Sequence, residues 1–274
     1  ALETEMKIAY LGPEATFTHQ AARSKFGASV EYIPTATISE VFDRVQNRTA
    51  DYGVVPIENS TEGAVTHTFD QFATTSLKIC AEIYLPVSLT LLSKVDRDQL
   101  RVIYSKHEVF GQCRTWLQTH LPDVELSPVE STTKAVKLAL ESEYSAAIAS
   151  AMASDMYGIE VLANGIQDMQ GNTTRFLVIG HNYSSVTGED KTSVVFGVKD
   201  AVGELHEALA VFKNDDINLS KIESRPSKNK AWEYFFFVDI DGHAEDPTVA
   251  KALEELKSHC TLMTILGSYP RAQV

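Results

Sequence analysis

Short apolar runs alternate with helical patterns along the first part of the chain. The runs "KIAYL" (7–11) and "YGVV" (52–55) are typical of buried strands, and the segments "FTHQAARSKF" and "ISEVFDRVQN" between them have helical periodicity. Regular alternation of strands and helices predicts an α/β fold with largely parallel sheets.

A second series of the same kind starts at "RVIYS" (101–105) and closes with "AAIAS" (146–150). Pro86 breaks the apolar run between the two series, and a central strand tolerates proline poorly, so this run is expected to carry the chain into a second lobe. The run "TRFLVIG" (174–180) is expected to carry it back. Two crossings between two lobes predict a ligand cleft. The predicted lobes are about residues 1–82 plus 176–185, and about residues 83–175.

The pattern changes after the polar stretch 181–191, which is typical of a linker. From "TSVVFGV" to "TLMTILGSY" the elements follow the order strand, helix, strand, strand, helix, strand. This order predicts a ferredoxin-like βαββαβ domain at residues 191–274, beside the two-lobed domain at residues 1–185.

Composition and motifs exclude several classes of function. A formal net charge of −13 disfavours a nucleic-acid partner. The chain has neither a run of ~20 apolar residues nor a basic leader, so a cytoplasmic protein without membrane contact is expected. Dinucleotide, Walker A and serine-hydrolase motifs are absent, and Cys80, Cys113 and Cys260 form no C-x-x-C pair, so we expect no cofactor and no metal. Ala1 stands in place of an initiator Met, as expected of a chain cut from a longer protein.

Small polar residues follow four of the predicted strands and fill the segment "GNTTR" (171–175). Ligands of open α/β sheets bind beyond such strand ends. Each loop alone is explained by helix capping or by a turn, but together they favour a cleft for an oxygen-rich, anionic, metal-free ligand. The predicted lining is Thr16, Glu58, Asn59, Ser60, Ser105, Gln112, Thr173 and Thr174.

The side chain of Arg175 has two possible directions. In an extended chain Thr174 and Phe176 share one face, and Thr173 and Arg175 share the other. Arg175 either clamps a substrate carboxylate or turns away and ties the loops together.

These segments resemble the prephenate dehydratase family, and the matches follow one another in order over almost the whole chain. The matching segments are "GPEATFTHQAA", "PIENSTEGAV", Ser105 with Gln112-Cys113, "AAIASAMASDMYGIEVLANGIQD", "NTTRFLVIG" and "ESRP" (223–226).

The resemblance implies a periplasmic-binding-protein-like catalytic domain and a C-terminal ACT domain. It also implies conversion of prephenate to phenylpyruvate without a cofactor, with Thr174 as the catalytic residue. L-Phenylalanine would be the effector, bound between paired ACT domains of a homodimer or homotetramer. The implied substrate-binding residues are the predicted lining other than Thr174, together with Arg175 and Phe176. The implied effector-binding residues are Gly203, Leu205, Glu223, Ser224, Arg225 and Pro226.

Three segments depart from the family pattern. Ala15 replaces the usual glycine, which predicts that this position needs no positive φ. Lys106-His107 replaces the usual His-Pro after Ser105, which leaves the shape of that loop open. Glu204 stands in the segment Val202–Leu205, where the family has P-G-A-L, and alters the charge at the expected effector site.

Two other functions remain open at this point. Arogenate dehydratase runs the same elimination on a substrate with an amino group in place of the keto group. A solute-binding protein would share the two-lobed fold, but no export signal is visible and it has no evident use for a regulatory domain.

Overall fold

Both ends of the first 180 residues build lobe one. The computed structural model describes residues 5–274, so Ala1 lies outside the described residues. The lobe contains β1 (Lys7–Leu11), α1 (Phe17–Phe26), β2 (Glu31–Thr35), α2 (Ile38–Gln46), β3 (Tyr52–Asn59), β4 (Gly63–Ala64), α3 (Thr66–Phe72), β5 (Lys78–Pro86) and β11 (Thr173–Gly180). The sheet order is β2-β1-β3-β11-β5, and β4 pairs with β3.

The sheet of lobe one is mixed, which corrects the expectation of largely parallel sheets. Strand β1 is parallel to β2 and β3, but β11 is antiparallel to both β3 and β5. The reason is the double crossing: β3 and β5 end at the cleft, and β11 starts there because the chain returns from the second lobe. The crossings lie at Pro86 and Thr173, so the strands of lobe one extend slightly further than predicted.

Lobe two contains β6 (Thr90–Ser93), a 3-10 turn (Arg97–Gln99), β7 (Val102–Ser105), α4 (His107–Gln112), α5 (Arg114–His120), β8 (Glu125–Pro128), α6 (Thr132–Glu141), β9 (Ser145–Ala149), α7 (Ala151–Tyr157) and β10 (Glu160–Ala163). Its sheet order is β10-β6-β9-β7-β8. The single helix expected from about 107 to 120 is two helices, because the backbone at Cys113 leaves helical geometry at φ −115° and ψ 15°.

The C-terminal domain has the predicted βαββαβ order, which is confirmed. Its elements are β12 (Asp190–Gly197), α8 (Glu204–Asn214), β13 (Leu219–Pro226), β14 (Tyr234–Asp241), α9 (Pro247–Ser258) and β15 (Leu262–Pro270). The antiparallel sheet has the order β13-β14-β12-β15. Residues of α8 and α9 pack on one face of this sheet.

The other face of the C-terminal sheet packs directly on lobe one. Val195, Phe237 and Tyr269 belong to the same buried cluster as Ile79 and Leu177 of lobe one. The strands β15 and β5 come so close that a Cβ atom on Gly267 would lie 2.1 Å from the carbonyl oxygen of Ile79. The two domains therefore share one apolar core.

Candidate active site

A cavity lies between the two lobes, where β3 and β7 end and β11 begins. It has a volume of about 480 Å³, within the usual range for small-molecule sites. Lobe one supplies Thr16, Asn59 and Thr174, and lobe two supplies Lys106 and Gln112. Four of the sequence-predicted residues therefore meet in one cleft, together with Lys106.

Asn59 and Thr174 form a cross-strand pair in this cleft. They are directly opposite on β3 and β11, and Asn59 Nδ2 donates to Thr174 Oγ1 over 2.8 Å. Asn59 Oδ1 accepts from the backbone N–H groups of Thr61 and Glu62, which fixes the direction of the amide. Because Thr174 Oγ1 accepts from Asn59, its own proton is left for a ligand. Among residues 5–274, no acceptor takes that proton.

Ser60 and Thr173 hold the rim of the cleft and do not line it. Ser60 Oγ donates to Asn172 Oδ1 over 3.1 Å, and the Thr173 N–H donates to Ser60 Oγ over 2.9 Å. The N–H of Ser60 in turn donates to the carbonyl of Thr173. Asn172 does line the cavity and was missing from the predicted set. Asn172 could have been predicted from its position two residues before Thr174 in the sequence.

The loop before α1 is fixed by both lobes. Thr16 caps α1 by accepting from the His19 N–H, and the carbonyl of Ala15 accepts from Ser150 Oγ of lobe two over 2.7 Å. The expectation for Ala15 was wrong, since its φ is 61°, in the left-handed region. The loop needs this conformation to turn the Ala15 N–H onto His19 Nδ1, 3.0 Å away. The position therefore carries backbone strain that a glycine would not have.

His19 is buried in its neutral form. Nδ1 accepts from the Ala15 N–H, and the ring stacks on Tyr10 with 4.5 Å between centroids. Burial, and then the charge of Arg23, lower the pKa of His19 below its ordinary value, although Glu14 acts in the opposite direction. Protonation would remove the lone pair that holds the Ala15 loop.

We predict that this histidine makes folding sensitive to mild acid. Because its pKa is lower in the folded than in the unfolded chain, the stabilisation is complete above the unfolded value of about 6.5 and is lost as the pH falls towards the folded value. Chemical denaturation between pH 7.5 and 5 measures the free energy of unfolding. The wild type should lose more stability over this range than His19→Gln, and equal losses would contradict the assignment.

Lobe two contributes a cation and a cross-cleft hydrogen bond. Gln112 Nε2 donates to Glu62 Oε1 of lobe one over 2.8 Å. Lys106 is the one cationic side chain lining the cavity in the described part of the chain, and it forms no ion pair there.

Ser105 was predicted to line the cleft, but the structure places it elsewhere. Its side chain is fully buried, and its hydroxyl donates to the carbonyl of Ile148. Ser105 therefore stabilises the sheet and does not reach the cleft.

Arg175 and Phe176 lie outside the cleft. Phe176 is 1% exposed, in the core of lobe one. The guanidinium of Arg175 faces away from Thr174 and bonds Glu82, Asp239 and the hydroxyl of Tyr269. Of the two directions left open for Arg175, the side chain takes the one that points away from the cleft, and it has a structural role.

Glu58 shares the position of Arg175 behind the cleft. Its carboxylate lies 3.3 Å from Arg175 Nη1 and 2.6 Å from Lys221 Nζ. Burial would raise the pKa of Glu58, but the hydrogen bond and charge of Lys221, together with Arg175, hold it below its usual range. Glu58 is therefore an interdomain anion and does not line the cavity.

The expected effector residues do not share one pocket within a single chain. Leu205 lines a cavity of about 390 Å³ on the C-terminal domain, and Gly203, with φ 82°, caps α8 beside it. Arg225 is turned towards lobe one, where it binds Asp70 through two hydrogen bonds. The other three lie on the same edge strand, β13: Glu223, Ser224 and Pro226.

Residues 5–274 contain no cluster of three or more His, Cys, Asp or Glu side chains arranged to hold a metal ion. None of the helices in this range has the length and apolar character that crossing a membrane requires. The charged side chains that line the cleft are Lys106, Glu62, Glu108 and Glu130.

Comparison with known protein families finds two matches along the chain. The model of the prephenate dehydratase family matches residues 8–184, and that of the ACT domain matches residues 192–258. The first covers the two lobes with the cleft, and the second covers the βαββα part of the C-terminal domain.

Individual relatives extend these matches to the full chain. A bifunctional chorismate mutase/prephenate dehydratase of Aquifex aeolicus is 51% identical over 273 residues, which are 99% of this chain and 75% of that protein. A crystal structure of prephenate dehydratase from Arthrobacter aurescens in complex with L-Phe has a TM-score of 0.88 at 36% identity, and covers 97% of this chain and 90% of that one. GqqA, described as a quorum-quenching acylase, has a TM-score of 0.85 at 25% identity, with 97% and 98% coverage.

Proposed function

This chain belongs to the prephenate dehydratase family, and on that premise we propose that its cleft converts prephenate to phenylpyruvate. The observation that carries the proposal is the Asn59–Thr174 pair, which leaves a hydroxyl proton facing a cavity of small-molecule size. Identity is higher with the dehydratases than with the acylase GqqA, so the dehydratase reaction is the one we propose.

The reaction places modest demands on the protein. The bond between the ring and its carboxylate breaks and releases carbon dioxide, the electron pair completes the aromatic ring, and the ring hydroxyl leaves as water after gaining a proton. Because aromatisation supplies much of the driving force, the site has to orient the substrate and protonate the leaving oxygen. Thr174 is a poor acid in isolation, but as a positioned donor it stabilises the departing oxygen, while Asn59 holds Thr174 Oγ1 in place.

Lys106 is the group we assign to a substrate carboxylate. Prephenate carries two carboxylates, and Lys106 is the cation that faces the cavity without an ion pair among residues 5–274. The carboxylates of Glu62, Glu108 and Glu130 also line the cavity, so an anionic substrate needs a local cation to bind there.

We predict that Lys106→Met raises KM for prephenate by about 10-fold and changes kcat less, because the lysine binds substrate and transition state alike. Lys137→Met, at an exposed position of α6 that does not line the cavity, is the matched control and should behave as wild type. Steady-state kinetics at several salt concentrations measure both effects. An unchanged KM in the Lys106 variant would remove the carboxylate assignment.

Arogenate is the second candidate substrate, and a specific feature favours it. The three glutamates of the lining suit the ammonium group that arogenate has and prephenate lacks. The decisive experiment gives the purified chain each substrate, with chelator and without added metal or nucleotide, and follows phenylpyruvate and phenylalanine as the respective products. Turnover of neither substrate would reject the proposed function.

For the C-terminal domain we infer control by phenylalanine and pairing with a second copy. The Arthrobacter aurescens relative binds L-Phe, and the domain here exposes Val202, Ile222 and Trp232, apolar side chains that a partner domain would cover. Calorimetric titration with phenylalanine and light scattering with and without it test both statements.

A further inference from the structure

The cleft pair and the Glu58–Arg175 ion pair lie on opposite faces of the same two strands. Asn59 is opposite Thr174, and Glu58 is opposite Arg175, in consecutive rungs of the β3–β11 ladder. Side chains alternate between faces along a strand. One rung therefore faces the cleft, and the next faces the C-terminal domain.

The ladder itself is irregular next to these rungs. The pairing of β3 with β11 shifts between Arg175 and Phe176, so that Arg175 pairs with Glu58 while Phe176 pairs with Pro56. Proline has no N–H to donate, so regular backbone bonding cannot continue through this point. Backbone bonds still hold the last two rungs, because the Ser60 N–H donates to the carbonyl of Thr173 and β5 pairs with β11 from Thr173 to Val178. Side chains add to this support on the side of β3.

The side chain of Arg175 is held by the C-terminal domain. Its Nη1 lies 2.6 Å from Asp239 Oδ2 on β14, and its Nη2 donates to Tyr269 OH on β15 over 3.0 Å. Only 2% of the Arg175 side chain and 1% of that of Asp239 are exposed to solvent. Lys221 of β13 holds Glu58 in the same way, at 2.6 Å.

Attraction between the domains does not by itself explain this arrangement. Desolvation offsets most of the Coulomb attraction in a buried ion pair, so such a pair adds little net stability. The directional hydrogen bonds of an arginine to a carboxylate do add geometric specificity. The shared apolar core already joins the two domains. The ion pairs additionally fix the positions of Arg175 and Glu58. Each of these residues is adjacent in sequence to a residue of the cleft pair, Arg175 to Thr174 and Glu58 to Asn59.

We propose that Arg175 and Asp239 are positioning residues through which the C-terminal sheet sets the alignment of Thr174 with Asn59. The inference rests on the proposed function, because its readout is turnover. It makes the C-terminal domain a structural part of the active site, and it gives an effector bound to that domain a direct route to the catalytic hydroxyl.

The test compares three variants with wild type. Asp239→Asn keeps the shape of the side chain and removes the charge facing Arg175. Lys221→Met is a milder change, at the half-buried edge of the network. Lys78→Met is the matched control, because Lys78 Nζ also bonds the C-terminal domain, at the carbonyl of Ile265. Lys78 differs in position, since it is opposite Gly180 at the end of β11 that is far from the cleft.

We expect Asp239→Asn to lower kcat by roughly 10-fold and Lys221→Met by roughly 3-fold, with KM within about 2-fold of wild type. Lys78→Met should lower Tm without changing kcat. Unchanged kcat in both network variants would overturn the proposal. So would an equal loss of kcat in Lys78→Met, because the effect would then be general loosening of the interface. If wild type turns over neither substrate, the proposed function fails first and separately.

Discussion

Thr174→Ala is expected to lower kcat for prephenate by about 100-fold or more while KM changes little. The hydroxyl of Thr174 is held by Asn59 Nδ2 and keeps its own proton for the cleft, so it acts mainly on the leaving oxygen. An interaction made in the transition state and hardly in the ground state affects kcat and kcat/KM together. Alanine removes that donor and also leaves Asn59 Nδ2 without an acceptor. Steady-state kinetics with prephenate are the measurement.

The adjacent residue provides the control. Thr173 lies on the rim, where its backbone bonds to Ser60, and its side chain does not line the cavity. Thr173→Ala should stay within about 3-fold of wild type in kcat. A larger loss in Thr173→Ala than in Thr174→Ala would reverse the assignment of the catalytic hydroxyl.

Gly267→Ala is expected to destabilise the protein by about 3 kcal/mol or more, with a fall in Tm of roughly 5–10 °C. The added Cβ would lie 2.1 Å from the oxygen and 2.9 Å from the nitrogen of Ile79. These are backbone atoms of β5, which cannot rotate away as a side chain can. The two sheets would have to separate, and separation opens the core that Phe237 and Tyr269 complete.

Gly111→Ala is the matched control for this effect. A Cβ at Gly111 would have no heavy atom within 4 Å, and the residue lies in α4. Alanine should therefore be neutral or stabilise the helix by about 0.5–1 kcal/mol. Differential scanning calorimetry compares the two. A Tm for Gly267→Ala equal to that of wild type would show that the close approach of β15 to β5 can relax without cost.

The element order and the loops of the cleft could be predicted from the sequence, because hydrophobic periodicity and strand-end polar clusters are local signals. Thr16, Asn59, Gln112 and Thr174 do line the cavity. The direction of the Arg175 side chain could not be predicted, because its partners Asp239 and Tyr269 are more than 60 residues away in sequence and belong to another domain.

Two loops show a different limit of sequence analysis. Alanine at position 15 gives no sign of a positive φ, which here is imposed by His19 and by lobe two. Ser105 has the residue type and the position of a cleft residue, at the end of β7. Its hydroxyl nevertheless turns to the carbonyl of Ile148 in the neighbouring strand, a choice that depends on strand pairing.

Because the two domains share one core, the segment between Gly180 and Asp190 is not a flexible linker. Such a segment usually acts as a tether that lets a regulatory domain move freely. Here Ser184 in its middle is bonded to Cys80 on one side and to Ser268 on the other. The C-terminal sheet is consequently packed as a further layer on lobe one. An effector bound to it would act on the cleft through contacts inside this packed layer, with the two domains remaining docked.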